Sequence, residues 1–229
     1  MKKTSLLILL VTLGFCSFAQ NLSVPKLGLK VGFNYSHLNF PQYNYLFLGT
    51  IKATEGYANP TKEFKPGVKA GVFLDIKLTA DWYISPTLSY AQFGGTTKID
   101  RIFDTDTIRT FGQETNSYKM DYITLDPILE YRATHRLSLN AGPSISYLLS
   151  NNINTVVSNH PIPGSEDYNG EILDVNEIDA GIHLGASFFM TENLDVNLNL
   201  YIGMMNLEKR NDGYNRFNQA SNLSIGYIF

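Results

Sequence analysis

The sequence predicts an all-β fold, specifically an eight-stranded antiparallel up-and-down β-barrel formed by one domain. Three observations lead to this prediction. Apolar and polar residues alternate in eight segments, short and long connections alternate between those segments, and aromatic residues fall at segment ends. The composition agrees, because only 17% of the 229 residues are charged, against roughly 25% in a typical soluble domain.

Eight segments show the period of two residues that is expected of strands with one apolar and one polar face. They are residues 26–36, 67–78, 82–93, 118–132, 137–149, 177–189, 194–204 and 219–229. Their polar faces carry mainly Gly, Ser and Asn with isolated charges. A soluble β-sandwich would present many Lys and Glu residues there, so the pattern favours a narrow barrel interior filled by side chains.

The connections between these segments alternate strictly in length. The tight turns are residues 79–81, 133–135 and 191–193, and the long connections are 38–66, 94–117, 150–176 and 206–218. Outer-membrane barrels have short periplasmic turns and long outer loops. An even number of strands then predicts that both chain ends lie on the periplasmic side.

Aromatic residues on the apolar phase form two groups at opposite ends of the segments. The turn-end group is Trp82, Tyr131, Phe188 and Phe229, and the loop-end group is Tyr35, Tyr90 and Tyr147. Two such girdles flank the apolar band of a transmembrane β-barrel. The last segment, which ends on Phe229 with Tyr227 two residues before it, also resembles the C-terminal signal that barrel insertion machinery recognises.

Residues 1–19 have the features of a secretory signal peptide, which leaves residues 20–229 as the barrel. Lys2 and Lys3 precede an apolar run over residues 6–15, and Ser17 and Ala19 provide small residues for cleavage. Cys16 raises the alternative of a lipoprotein, although Phe15 stands where lipidation requires a small residue. Cys16 is the only cysteine, so the mature chain would have no disulfide or thiol chemistry.

Three prolines lie inside predicted strands, at Pro86, Pro127 and Pro143. Each removes a hydrogen-bond donor from the sheet, and a closed barrel has no edge strand to accommodate it. We therefore expect bulges or widely twisted pairing at these positions.

Two stretches around these prolines resemble a known family. They are YISPTLSYAQFGG at 83–95 and YITLDPILEYRATHRLSLNAGPSISYLL at 122–149. They look like the PorT-like outer-membrane β-barrel domain of Bacteroidota porin-family proteins, and the resemblance covers residues 20–229. It implies an outer-membrane location and accounts for the prolines. Some members of that family serve in protein secretion and gliding machinery. Asp126 and Glu130 depart from the residue types that are usual at their positions.

The sequence predicts no catalytic, cofactor-binding or metal-binding residue, and no enzyme activity. There is no HExxH, CxxC, P-loop or GxGxxG motif, and Asp104-Thr105-Asp106 supplies only two ligands of a calcium loop. His183 and Ser187 lie on the inward phase and are the pair closest to a hydrolase site. The alternative is that His183 pairs inside the barrel with Asp179 or with a carboxylate across it.

The predicted interior charges have both signs, and we expect them to compensate one another in a lumen too narrow for an open pore. They are Lys30, Lys69, Asp75, Lys77, Asp121, Glu130, Arg132, Asp179 and Asp195. The long connections carry aromatics that either anchor partners or extend the barrel as hairpins, and we favour hairpins. These aromatics include Tyr43, Tyr45, Phe47, Tyr214 and Phe217.

We therefore expect a structural or interaction role through the outer loops. The expected partners are outer-membrane lipid and lipopolysaccharide, the insertion machinery and other envelope proteins. Nucleic acid is excluded, since the net charge is −3 and the chain has no concentrated basic stretch. The alternatives are a lipid-modifying barrel enzyme and a small-solute channel.

Overall fold

The structure, a computed structural model, describes residues 24–39, 56–57, 61–104, 109–159, 167–172, 174–207, 209 and 216–229. Several sequence predictions lie outside these residues. They are the signal peptide at 1–19, the loop aromatics Tyr43, Tyr45, Phe47 and Tyr214, and residues 105 and 106 of the calcium-like motif.

Eleven strands are present in the described residues, eight long and three short. They are β1 (Lys26–Asn39), β2 (Gly56–Tyr57), β3 (Thr61–Glu63), β4 (Lys65–Lys77), β5 (Trp82–Asp104), β6 (Arg109–Arg132), β7 (Leu137–Ser158), β8 (Tyr168–Gly170), β9 (Ile178–Phe189), β10 (Leu194–Gly203) and β11 (Phe217–Ile228). The eight long strands correspond to the eight predicted segments. No helix within the described ranges is long and apolar enough to span a bilayer.

The eight long strands close into an antiparallel ring, as predicted. Each pairs with its neighbour in the order β1, β4, β5, β6, β7, β9, β10 and β11. The ring closes between the first and last strands, whose register runs from Gly28↔Ile228 to Asn39↔Phe217. The Phe229 amide also donates to the Leu27 carbonyl at 2.9 Å. The described strands of the ring therefore leave no long edge unpaired.

The apolar phase of the strands faces outward and the polar phase faces inward. Leu198 is 56% exposed, whereas the adjacent Asn197 is 1% exposed. Both predicted aromatic groups also project outward, and at the turn end the rings of Trp82 and Tyr131 lie 5.0 Å apart. This distribution is inverted relative to a soluble protein.

A threonine hydroxyl stabilises each of the three tight turns. Thr79 accepts a hydrogen bond from the Trp82 amide at 3.2 Å, and Thr134 accepts one from the Leu137 amide at 3.0 Å. Thr191 accepts one from the Leu194 amide, also at 3.0 Å. Each threonine lies three residues before the first residue of a strand, which is a local side-chain turn that needs no glycine.

The prolines interrupt the ladders without shifting the register, so of the two expected outcomes the bulges are wrong, while the widely twisted pairing stays a prediction. Pro86 is paired directly with Pro127 across β5 and β6. Between β6 and β7 the pairing stops after Leu125↔Ile145 and resumes at Leu129↔Ala141 in the same register. Continuing that register places Pro127 opposite Pro143, so two residues that lack an N–H face each other. The register shift of this pair of strands occurs instead near Asp121.

The predicted long connection at 94–117 is mostly strand. β5 continues to Asp104 and is paired with β6 up to Asp104↔Arg109. β7 continues beside β6 to Ser158, while β3 and β8 add short outer strands. The expectation of a hairpin that extends the barrel is therefore confirmed for this connection. We call this extension, over residues 96–104 and 109–117 with their neighbours in β2, β3, β7 and β8, the outer sheet.

Candidate functional site

Inward-facing side chains fill the barrel in three layers, and the first lies at the turn end. Arg132 donates to Asp75 at 2.8 Å and to Glu130 at 2.9 Å. Its guanidinium also lies 3.5 Å from the centroid of the Tyr83 ring and 4.7 Å from that of Phe189. Arginine suits this position, because its planar fork binds carboxylates while its faces stack on aromatic rings.

The middle layer is polar, and Asp126 is its centre. The Asp126 carboxylate accepts hydrogen bonds from Lys69 at 3.0 Å and from Ser144 at 2.5 Å, and it lies 3.4 Å from His183 Nε2. These partners come from β4, β7 and β9, so one carboxylate joins three sides of the lumen. A cavity of about 40 Å³ remains beside it. At about 10–15 Å³ per water, this space holds a few waters and excludes a larger solute.

A second polar hub, Asn197, lies in the same layer. Lys30 donates to its side-chain oxygen at 3.2 Å and Ser187 donates to the same atom at 2.6 Å. The Asn197 amide group donates in turn to Asp195 at 2.9 Å. Lys30 and Asp195, both predicted interior charges, are therefore linked through a neutral amide and not by a direct ion pair.

The third layer lies towards the loop end and is largely apolar, which the sequence interpretation did not anticipate. Phe93 stacks on Tyr201 with ring centroids 5.3 Å apart and lies 5.6 Å from Tyr122. Met120 is buried beside them, together with Leu38 and further apolar residues. We call Phe93, Met120, Tyr122 and Tyr201 the apolar layer. Their inward phase was the one available sequence signal, since large apolar residues stand where the pattern calls for small polar ones.

His183 and Ser187 do not form a nucleophile–base pair. They are four residues apart in β9, which at about 3.3 Å per residue separates them by about 13 Å. His183 contacts Asp126 across the barrel, as one alternative predicted, while Asp179 accepts from Asn218 at 2.8 Å. Because Asp126 lies between Ser144 and His183, that trio also differs from a catalytic triad, in which the imidazole stands between hydroxyl and carboxylate.

The predicted set of interior charges needs two corrections. Asp126 was not included, although its phase points inward and it forms an ion pair with Lys69 in the middle layer. Asp121 was included, but it lies on the outward side of β6. There it accepts hydrogen bonds from Tyr90 at 2.8 Å, Gln92 at 2.9 Å and Ser150 at 2.8 Å.

These Asp121 contacts mark the outer rim of the apolar belt. Tyr90 and Tyr147 are both paired with Ile123, which forms a row of three outward side chains across β5, β6 and β7. Asp121 is the next outward residue of β6 above that row, and Lys119 is the one after it. Lys119 Nζ lies 3.8 Å from Asp121 Oδ2. The lipid-facing surface therefore changes from apolar to charged within one step along the strand.

Metal ligands are not clustered in the part of the chain that the structure describes. No group of three or more His, Cys, Asp or Glu residues is arranged there to hold an ion.

A closed barrel with an apolar exterior and a polar, side-chain-filled interior defines a transmembrane β-barrel. The sequence matches the outer membrane protein beta-barrel domain family over residues 18–209. The chain belongs to this family and is an outer-membrane protein.

Solved structures with a similar fold include the three described below. Neisserial surface protein A is 11% identical and has a TM-score of 0.48, with 92% of this chain and 100% of that chain covered. Ail, the attachment invasion locus protein of Yersinia pestis, is 13% identical, with coverages of 89% and 98% and a TM-score of 0.43. The outer membrane protease OmpT from Escherichia coli is 11% identical, with coverages of 91% and 94% and a TM-score of 0.44. A comparison with curated protein sequences finds no match.

Proposed function

We propose that this protein is a PorT-like barrel that acts as a closed anchor, presents its outer sheet to other envelope proteins, and has neither pore nor enzyme activity. One observation carries the proposal. The described side chains fill the lumen in three layers, while β5 and β6 remain paired far beyond the loop-end aromatic row. The part of the molecule available for function is therefore the part above the membrane.

The outer sheet is tall. Asp104 lies roughly 45 Å along β5 from Tyr90, at about 3.3 Å per residue. With strands tilted by about 45° in a small barrel, the tip rises roughly 30 Å above the aromatic row. Such a height places a binding surface well outside the lipid headgroups.

Hydrogen bonds between polar side chains order the surface of this sheet. Lys98 pairs with Glu63 at 2.7 Å, and Gln113 donates to Asp100 at 3.1 Å. Its outermost strands, β2, β3 and β8, are only two or three residues long. Short edge strands disfavour pairing with a strand of another chain. Recognition through the faces of the sheet is therefore favoured over strand addition.

The β7–β8 side of the outer sheet carries exposed apolar side chains that a protein partner could cover. Val156 is 46% exposed on one face of this edge, and Tyr168, which pairs with the neighbouring Thr155 and so lies on the other face, is 50% exposed. Exposed aromatic residues within a polar surface are frequent anchors of protein interfaces. We therefore place the partner contact on this side.

The experiment introduces a photo-reactive amino acid at Val156 and, as a matched control, at Leu198 on the lipid-facing wall. Irradiation of intact cells is expected to give discrete protein adducts at Val156 and none at Leu198. Equal labelling at the two positions, or no protein adduct at Val156, would refute an interaction role for this surface.

The PorT-like assignment and the absence of enzyme activity have separate tests. A PorT-like machinery component is expected to be encoded beside other secretion genes, and an isolated gene would contradict that assignment. Deletion of the gene is expected to leave lipid A and phospholipid profiles unchanged. A changed profile that the intact chain restores would establish lipid-modifying activity instead.

The C-terminal strand supports a contact with the barrel insertion machinery. Outward residues recur at every second position of β11, and the same phase continues to Phe229, which is 62% exposed. Phe229→Ala is expected to reduce the fraction of protein that reaches the outer membrane, as measured by heat-modifiable gel mobility. Unchanged insertion would contradict this contact.

A further inference from the structure

The outward column of β6 crosses from the apolar belt into a charged surface. Going up the strand, its outward residues are Leu125, Ile123, Asp121, Lys119 and Ser117. Ile123 lies between the two girdle aromatics Tyr90 and Tyr147. The headgroup region adds about 5–7 Å to each side of the hydrocarbon core. Two residues of a tilted strand rise by about 5 Å, so Asp121 lies at headgroup depth. The Lys119 backbone is about 5 Å higher, but its ammonium, 3.8 Å from Asp121 Oδ2, lies close to the depth of Asp121.

A second lysine reaches the same surface from another strand. Lys65 begins β4, and its Nζ donates to Ser117 Oγ at 2.8 Å. Its side chain passes over Gly94 of β5, where a β-carbon would lie 3.3 Å from Lys65 Cδ. The missing side chain at Gly94 therefore opens the path by which Lys65 crosses one strand to reach β6.

Lys65 reaches the position next to Lys119 on the outward face of β6. Ser117 and Lys119 are two residues apart on one face of β6, so Lys65 Nζ and the base of Lys119 are separated by about 7 Å. Asp121, the nearby carboxylate, already accepts hydrogen bonds from three neutral donors. Its distance to Lys119 Nζ is 3.8 Å, and the Lys119 side chain is 47% exposed. The outer rim therefore carries two ammonium groups and one carboxylate. That carboxylate, Asp121, accepts most of its hydrogen bonds from neutral donors.

We propose that Lys65, Ser117 and Lys119 bind the phosphate group of an outer-leaflet lipid headgroup. A phosphate would accept from both ammonium groups and from the serine hydroxyl, while the acyl chains of the same lipid would lie along the apolar belt below. A lipid is favoured over a soluble phosphate because the site borders the girdle aromatics on the membrane-facing side. The proposal deepens the function proposed above by naming a lipid partner, and it rests on the loop ends lying at the outer face.

The test measures binding of phosphatidic acid, a lipid with a phosphate monoester headgroup, to the refolded full chain in detergent micelles. Phosphatidylcholine is the comparison lipid. The Lys65→Gln/Lys119→Gln variant is expected to bind phosphatidic acid about 30-fold more weakly, since each lysine at an anionic lipid surface contributes about a factor of five. The control variant Lys26→Gln/Lys77→Gln removes the same charge at the turn end and is expected to change binding less than twofold.

Two further measurements test the proposal even if the double Gln variant misfolds. Binding of phosphatidic acid by the native chain is expected to weaken at high salt, and Lys65→Arg/Lys119→Arg is expected to retain it. Salt-independent binding, equal affinity for the two lipids, or equal losses in both Gln variants would overturn the proposal. Full displacement by millimolar inorganic phosphate would overturn the assignment to a lipid.

Failure of this proposal can be separated from failure of the proposed function. Thr96 and Ser117 are cross-strand partners, so residues 97–116 can be replaced by the two-residue turn Asn-Gly. This truncated chain keeps Lys65, Ser117 and Lys119 but lacks most of the outer sheet. It is expected to bind phosphatidic acid as the full chain does while losing protein adducts at Val156. Loss of lipid binding on truncation would contradict the rim site.

Discussion

Substituting Asp126 by alanine is expected to lower the free energy of unfolding by about 3–5 kcal/mol, because it leaves a buried lysine without its counter-ion. The side chains of Lys69 and Asp126 are 12% and 3% exposed, and their charged atoms lie 3.0 Å apart. The substitution also removes the acceptor for Ser144 and the partner of His183. Replacing both members, as Asp126→Leu/Lys69→Met, is expected to recover most of the loss, since no charge is then left unpaired.

The assay is denaturant unfolding of the protein refolded in lipid vesicles, followed by the fluorescence of its one tryptophan. Trp82 lies at the turn-end interface and is 42% exposed, so its emission reports on withdrawal from the membrane. Glu63→Ala is the control, because the Lys98–Glu63 pair has side chains that are 36% and 45% exposed. A surface pair of this kind contributes about 0–1 kcal/mol. If Asp126→Ala costs no more than Glu63→Ala, the ion pair does not organise the lumen as described.

Three further substitutions test the wall, the turn-end layer and a turn in the same unfolding assay. Leu198→Arg is expected to cost about 2–4 kcal/mol because it places a charge in lipid near the midplane, and a cost equal to that of Leu198→Ala would contradict the outward phase. Arg132→Lys is expected to cost about 2 kcal/mol through loss of the two-carboxylate fork and ring stacking, and a neutral effect would show that charge alone suffices. Thr134→Ala is expected to cost about 1 kcal/mol by removing a turn hydrogen bond, and an unchanged free energy of unfolding would contradict a stabilising role for this hydroxyl.

The barrel was predictable because its determinants are local. A period of two residues defines each strand, and the lengths of the connections define its direction. The seventh predicted segment, 194–204, therefore ends within one residue of β10. The same rule failed above the membrane, because the sequence from 96 to 116 shows no sustained alternation of apolar and polar residues. The hairpin there was an expectation from loop aromatics, not from strand periodicity.

The sites were less predictable, because they depend on contacts between residues far apart in the sequence. The strand phase places Asp126 inward, but it does not indicate that Lys69, Ser144 and His183 converge on it from three other strands. The path of Lys65 over Gly94 likewise depends on the stagger between β4 and β5. The apolar layer was not predicted for a different reason. An aromatic residue on the inward phase departs from the pattern of small polar residues, and a single departure does not indicate a layer.

Single-channel recording in planar bilayers tests the central claim most directly, namely that side chains close the lumen. The native protein, refolded and shown to be inserted, is expected to give no discrete conductance steps. The variant Phe93→Gly/Tyr201→Ala, which removes the stacked pair of the apolar layer, is expected to show small steps when it retains heat-modifiable mobility. Discrete, reproducible conductance from the native protein would contradict the closed-barrel account.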